Sequence, residues 1–194
     1  MIEASQDIRR PMWMLIGPGL GTMLAAYQVG ALLGPVRETV QRNLGLSTVT
    51  TLLLLLGHLV ALVVGAAAGF ALGRRIPTSI AVPAVGLMLL GDLMIALAPN
   101  GLVMIVAALI TGFGGGAVSG VALGLAAQTG ERRLALLAAV GGVAFAGLLC
   151  GLVFGWFMTT AVSWRWTYFL AVPMALITLA VTGGVGLFAV TRKA

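Results

Sequence analysis

Charge is what this sequence has least of. Only 8% of its 194 residues are Asp, Glu, Lys or Arg, where a soluble domain carries about 25%. With 60% hydrophobic residues and a mean hydropathy of +1.12, the chain has more apolar surface than a water-soluble globule can hide. A single cysteine, Cys150, excludes an intrachain disulfide. One histidine and five acids supply neither a Ser-His-Asp set nor a useful carboxylate pair, and no G-x-x-x-x-G-K-[ST] loop is present. No enzyme is therefore expected. No second His, Cys or acid stands at ligand spacing from His58, so no metal is expected, and no cofactor either. The formal charge of +6 would suit nucleic acid, but the charges mark the ends of apolar runs, which points to membrane lipid as the partner and not to nucleic acid.

What the sequence does have is six long apolar runs, near 12–34, 49–72, 79–98, 101–127, 134–161 and 167–190. Each is long enough for a hydrocarbon core about 30 Å thick, which takes roughly 20 helical residues. The short alternating segments of a barrel are missing. The reading is an all-α membrane protein: a tail at 1–11, a six-helix transmembrane bundle at 12–190 and a short end at 191–194. The first run is read as a retained helix and not a signal, because five equally apolar runs follow it. Arg9, Arg10, Arg74, Arg75, Arg132, Arg133, Arg192 and Lys193 fall on one side; Arg37, Arg42 and Arg165 fall on the other. The Lys/Arg bias predicts a cell (inner) membrane protein with both termini cytoplasmic. Pro18, among the glycines of the first run, predicts a bend there. The segment from Pro35 to Leu46, with Val36, Val40 and Leu44 at steps of four, predicts a short amphipathic helix along the outer surface, or an extension of the first span.

Glycine recurs at every fourth position in the fourth span, at Gly112, Gly116, Gly120 and Gly124, and again in the fifth, at Gly147, Gly151 and Gly155. In water each would cost about 1 kcal/mol relative to alanine. In a bilayer, small residues at this spacing let two helix backbones approach closely. The two stripes are expected to pack against each other or against another helix.

From the second span onward, several motifs stand in a specific order. They are R-N-L-G-L-S at 42–47, G-R-R at Gly73, Arg74 and Arg75, A-L-A-P-N at 96–100, G-x3-G-x3-G at 147–155, and S-W-R-W-T-Y-F-L-A-V-P at 163–173. In this order they resemble the amino-terminal six-helix half of a major facilitator superfamily transporter, closest to the drug–proton antiporter branch. The resemblance implies a half bundle of that fold, with Gly73, Arg74 and Arg75 in a cytoplasmic gating loop. It also implies a cavity lined by the first, second, fourth and fifth spans. The departures are the acid missing from the loop before G-R-R, Ala108 and Leu152 where an arginine and a proline are usual, and Tyr27 and Gln28 near the place of a first-span acid.

Within the spans, Asp92 and His58 are the ionisable residues. Such residues are costly in a membrane and stand as functional hypotheses. Asp92, about two turns from the outer end of the third span, is a proton or ion-pair candidate, or a carboxylate that is hydrated or hydrogen-bonded. His58 is a titrating group or a neutral, hydrogen-bonded one. Tyr27, Gln28, His58 and Ser119 are the cavity-lining candidates, although a serine can equally bond back to its own helix. Trp164, Arg165 and Trp166 read as an anchor at the membrane interface. The expected function is a half-size secondary transporter, exporting a small hydrophobic or amphipathic molecule by alternating access as a homodimer or with a second six-helix chain. A non-transporting scaffold subunit and a fragment of a longer transporter are the alternatives.

Overall fold

The computed structural model describes residues 12–191, and side chains through 186. Arg9, Arg10, Arg192 and Lys193, on which the sidedness argument draws, lie outside the described residues. Among the described residues seven helices follow in order: α1 Ile16–Leu33, α2 Pro35–Asn43, α3 Thr48–Gly73, α4 Pro77–Ala96, α5 Gly101–Ala127, α6 Arg133–Ala161 and α7 Trp164–Thr191. Short 3-10 turns precede α1 at Met12–Leu15 and α6 at Gly130–Arg132. Six of these helical segments are long and apolar enough to cross a membrane, and the protein is a multi-pass, all-α membrane protein. The outward residues of α3, among them Leu53, Leu56, Val60 and Val63, are exposed and apolar, as a hydrocarbon solvent permits.

Local chemistry sets the helix limits. Ser47 caps α3, its side chain accepting from the Thr50 N–H at 3.0 Å, and Asn100 does the same for α5 through the Val103 N–H at 3.0 Å. These caps satisfy amides that a helix start leaves unpaired. Pro18 stands in the first turn of α1, where its missing N–H has no helical partner to lose. Gly34, with extended backbone, separates α1 from α2. α2 is thus a helix of its own. Its apolar face does not lie in the headgroups: Val36 and Val40 are buried, with Val36 Cγ2 3.2 Å from where a Cβ on Gly155 of α6 would be.

The glycine stripes decide which helices pair. The stripe on α5 packs on α3. A Cβ at Gly112 would lie 2.5 Å from the His58 carbonyl oxygen, Gly116 meets Leu62 O, Gly120 meets Ala66 O, and Gly124 faces the Arg74 stem. α3 answers with a stripe of its own: Gly65 meets Phe113 O, Gly69 meets Ala117 O, and a Cβ at Gly73 would lie 2.6 Å from Val121 Cγ2. The stripe on α6 packs on α1, with Gly147 on Met23 O, Gly151 on Tyr27 O and Gly155 on Val36 and Ala31, while Gly30 of α1 meets Leu148 O in return. The two stripes seen in the sequence therefore do not pack on each other; each has a separate partner.

The pairing is symmetric. α3 with α5 and α1 with α6 are close pairs, α4 packs on α7, α5 also touches α4 and α1, and α1 also touches α7. Exchanging α1 with α5, α3 with α6 and α4 with α7 turns this list into itself. Because α1 and α5 cross the bundle in opposite directions, the two halves of the chain form an inverted 3+3 repeat of the kind nested in some transporters.

A side chain at Gly116 or Gly120 must push backbone against backbone, at about 3 kcal/mol each. Gly116→Leu with Gly120→Leu is expected to abolish the folded state in detergent. Gly141→Leu, where nothing lies within 4 Å, should leave the melting temperature near that of the parent. A stable double variant would show that the stripe does not hold α3 to α5.

Candidate functional site

Close packing around α5 brings four helices to one polar level. A Cβ at Gly115 would meet Ala25 Cβ of α1 at 2.8 Å, and one at Gly114 would meet Ala84 O of α4 at 2.6 Å. Gly91 of α4 presses on Thr111 and on Ala107 O of α5. On this tightly held helix, Asp92 is 0% exposed. Of the alternatives for this residue, that burial favours the hydrogen-bonded one. Its partner is Gln28 on α1, whose Nε2 donates to Oδ1 at 2.9 Å and to Oδ2 at 2.8 Å. The partner is an amide, not a cation. Tyr27 donates from its hydroxyl to the Thr167 carbonyl of α7 at 3.0 Å. Gln28 Oε1, Thr111 Oγ1, Thr167 Oγ1 and the Tyr168 hydroxyl are buried without a protein hydrogen-bond partner. Buried polar atoms are usually paired, so this level, made by α1, α4, α5 and α7, is where the bundle departs most from ordinary packing.

Tyr27 and Gln28 therefore point into the six-helix bundle and not onto a face open to a cavity. Ser119 is half-buried and donates to the Gly115 carbonyl of its own helix at 2.8 Å, the back-bonded alternative offered by the sequence. His58 lies on another face of α5. Its Nδ1 is 2.9 Å from the Ala108 carbonyl oxygen, which accepts only, so Nδ1 carries the hydrogen. Nε2 is buried and unpartnered. The histidine bridges α3 to α5 and does not meet the Asp92 pair. Thr111, Thr167 and Tyr168 were not singled out from the sequence. The T-Y pair within the 163–173 motif was the available signal for two of them.

At the opposite end of the bundle, the G-R-R turn is tied to the end of α5. The Gln128 Nε2 donates to Arg74 O at 3.2 Å, and the Arg74 guanidinium lies 5.5 Å from the Phe70 ring centroid. Arg74 and Arg75 are both exposed.

The 164–166 group divides. Trp166 is 51% exposed, as an interface residue should be, but Trp164 is 1% exposed and packs edge-on to Tyr168 at 6.5 Å. Trp164 is core, not anchor, because the helix turn between the two tryptophans points them in different directions. Arg165 sits 4.6 Å over the Trp164 ring and donates to the carbonyls of Ala96 at 2.7 Å and Ala98 at 2.8 Å. Ala96 is the last residue of α4 and Ala98 lies two residues beyond it, at a helix end that leaves acceptors unpaired and favours a cation. Charged hydrogen bonds of this kind are worth about 2 kcal/mol. Arg165→Gln is expected to lower unfolding stability by about that amount, read by denaturant titration in detergent. Arg165→Lys should recover only part of it, since an ammonium lacks the two-pronged geometry. Equal stability of all three would remove Arg165 from this role.

No known family profile matches the chain. A Multidrug resistance protein B homolog of Mycobacterium tuberculosis is 36% identical over 92 residues, which are 46% of this chain and 17% of that protein. An MFS thioclapurine efflux transporter of Claviceps purpurea is 37% identical over 94 residues, 47% of this chain and 17% of that protein. The matched stretch thus spans about one-sixth of these relatives. The chain is a partial homologue of these proteins, and its six apolar helices fit one half of a major facilitator superfamily transporter.

Proposed function

We propose that this chain forms one six-helix half of a secondary transporter of the major facilitator kind, exporting a small hydrophobic or amphipathic molecule. The observation that carries this reading is the partial similarity to proteins named for drug resistance and efflux, in a chain whose helices pair as an inverted 3+3 repeat. Transport by alternating access needs two such bundles rocking about a site between them. The second bundle is another copy of this chain, a different six-helix chain, or a further stretch of a longer protein. The G-R-R turn at Gly73, Arg74 and Arg75 serves as the gating loop at the cytoplasmic end. Arg74, Arg75, Arg132 and Arg133 gather at the end of the bundle where α1 starts, which supports an inner-membrane placement with both termini cytoplasmic.

A scaffold subunit that does not transport is the second reading. It is favoured by the inward burial of Tyr27, Gln28 and His58, which leaves the bundle's faces without these polar groups.

Native mass spectrometry of the gently extracted complex, followed by reconstitution with a fluorescent amphipathic dye, separates the two. The transporter reading expects two six-helix units and dye movement across the vesicle membrane that protein-free vesicles do not show. A complex whose other member is not a six-helix unit, together with no dye movement, leaves the scaffold.

A further inference from the structure

We propose that Asp92 and Gln28 form a proton-operated latch between α4 and α1, inside the six-helix bundle. Both carboxylate oxygens face the same nitrogen, Gln28 Nε2, at 2.9 and 2.8 Å. The other end of that amide, Oε1, is buried with no partner. An ionised carboxylate offers only acceptors, and Oε1 is also only an acceptor, so the pair lacks one donor. A single proton on the carboxyl supplies it. The carboxyl O–H then donates to Oε1 while Nε2 keeps its bond to the other oxygen, the two-bond pairing of an acid with a primary amide. The exchange needs only rotation of two planar groups already in contact. One O–H bond forms on protonation and breaks on release, and the proton is exchanged with water.

The groups that face the carboxyl suit such a role. From α1 comes Tyr27, from α7 Tyr168, and beyond Tyr27 lies Cys150 of α6; none brings a positive charge. α5 brings the uncharged Thr111 against Gly91, and His58 of α3 is held on another face of α5 by Ala108. Protonation therefore changes the bonds joining α1 to α4 from two that share one donor nitrogen to a reciprocal pair. Because both helices press on α5 through Gly115 and Gly91, the change is delivered to the helix at the centre of the bundle.

The test reads no transport, so it stands apart from the function proposed above. Asp7→Asn leaves Asp92 as the one aspartate in the sequence. Aspartate labelled with carbon-13 at Cγ then reports this carboxyl alone in solid-state NMR of the protein in lipid. Through-space contact from Cγ to a nitrogen-15-labelled side chain selects the Gln28 amide. The expected result is a Cγ resonance that moves from the carboxylate to the acid position as pH falls, with the Gln28 amide resonances moving at the same midpoint. Gln28→Leu should lose the contact and the coupled movement. A Cγ resonance fixed over the pH range in which the protein stays folded overturns the proposal, and so does a titration that leaves the Gln28 amide unmoved.

Discussion

A helix in hydrocarbon gains nothing by turning its leucines toward another helix, because lipid tails are as apolar as leucine. What remains is the approach of one backbone to another, and this fold depends on it. On α3 and α5 the glycines are reciprocal, each stripe receiving carbonyls of the other helix. On α1 and α6 the same device recurs, with Gly30 answering Gly147 and Gly151. These two pairs are equivalents under the 3+3 exchange, so one physical solution is used twice. α5 adds further faces, with Gly114 toward α4 and Gly115 toward α1, and so becomes the helix around which the others are arranged.

That close packing is also what makes the polar level consequential. Asp92 is buried because Gly91 and Gly114 bring α4 against α5, not because a partner cation draws it in. A carboxyl in such a place must be satisfied by what four crowded helices can offer, and they offer one amide. Arg165 does related work at the end of α4, where it takes up the carbonyls of Ala96 and Ala98 and holds α7 to them. The motif around Trp164 is thus a tie between two helices, with Trp164 buried beneath it and Trp166 left outside.

The helices were legible because each apolar run is a continuous stretch of suitable length. The glycine stripes were legible too, but not their partners, since a spacing of four says that a face is smooth and not what lies on it. The matching stripe at Gly65, Gly69 and Gly73 on α3 follows the same rule and was hidden among alanines. Burial of Tyr27, Gln28 and Trp164 was beyond the sequence for a related reason. In a soluble helix the polar side marks the outside, whereas here both lipid and core are apolar, so hydropathy does not tell the faces of a helix apart. Asp92 and Gln28 stood out as polar, but their pairing joins residues 64 positions apart, and only the packing of α1 and α4 on α5 brings them together.

The same reasoning bears on what the bundle would present to a second one. α1 and α5 are among its most buried helices, yet α1 exposes Ile16 and Leu20, and α5 exposes Val106, Leu109 and Phe113. With Gln28, Asp92 and His58 turned inward, these outward residues are apolar. Under the proposed reading, a site lined by such residues would select its cargo by shape and apolar area and would place few hydrogen bonds on it, which suits hydrophobic or amphipathic molecules. The charge that responds to protons would then lie behind the wall of the site and not in it. Cargo and proton would meet through the geometry of α1 and not through competition for one carboxyl.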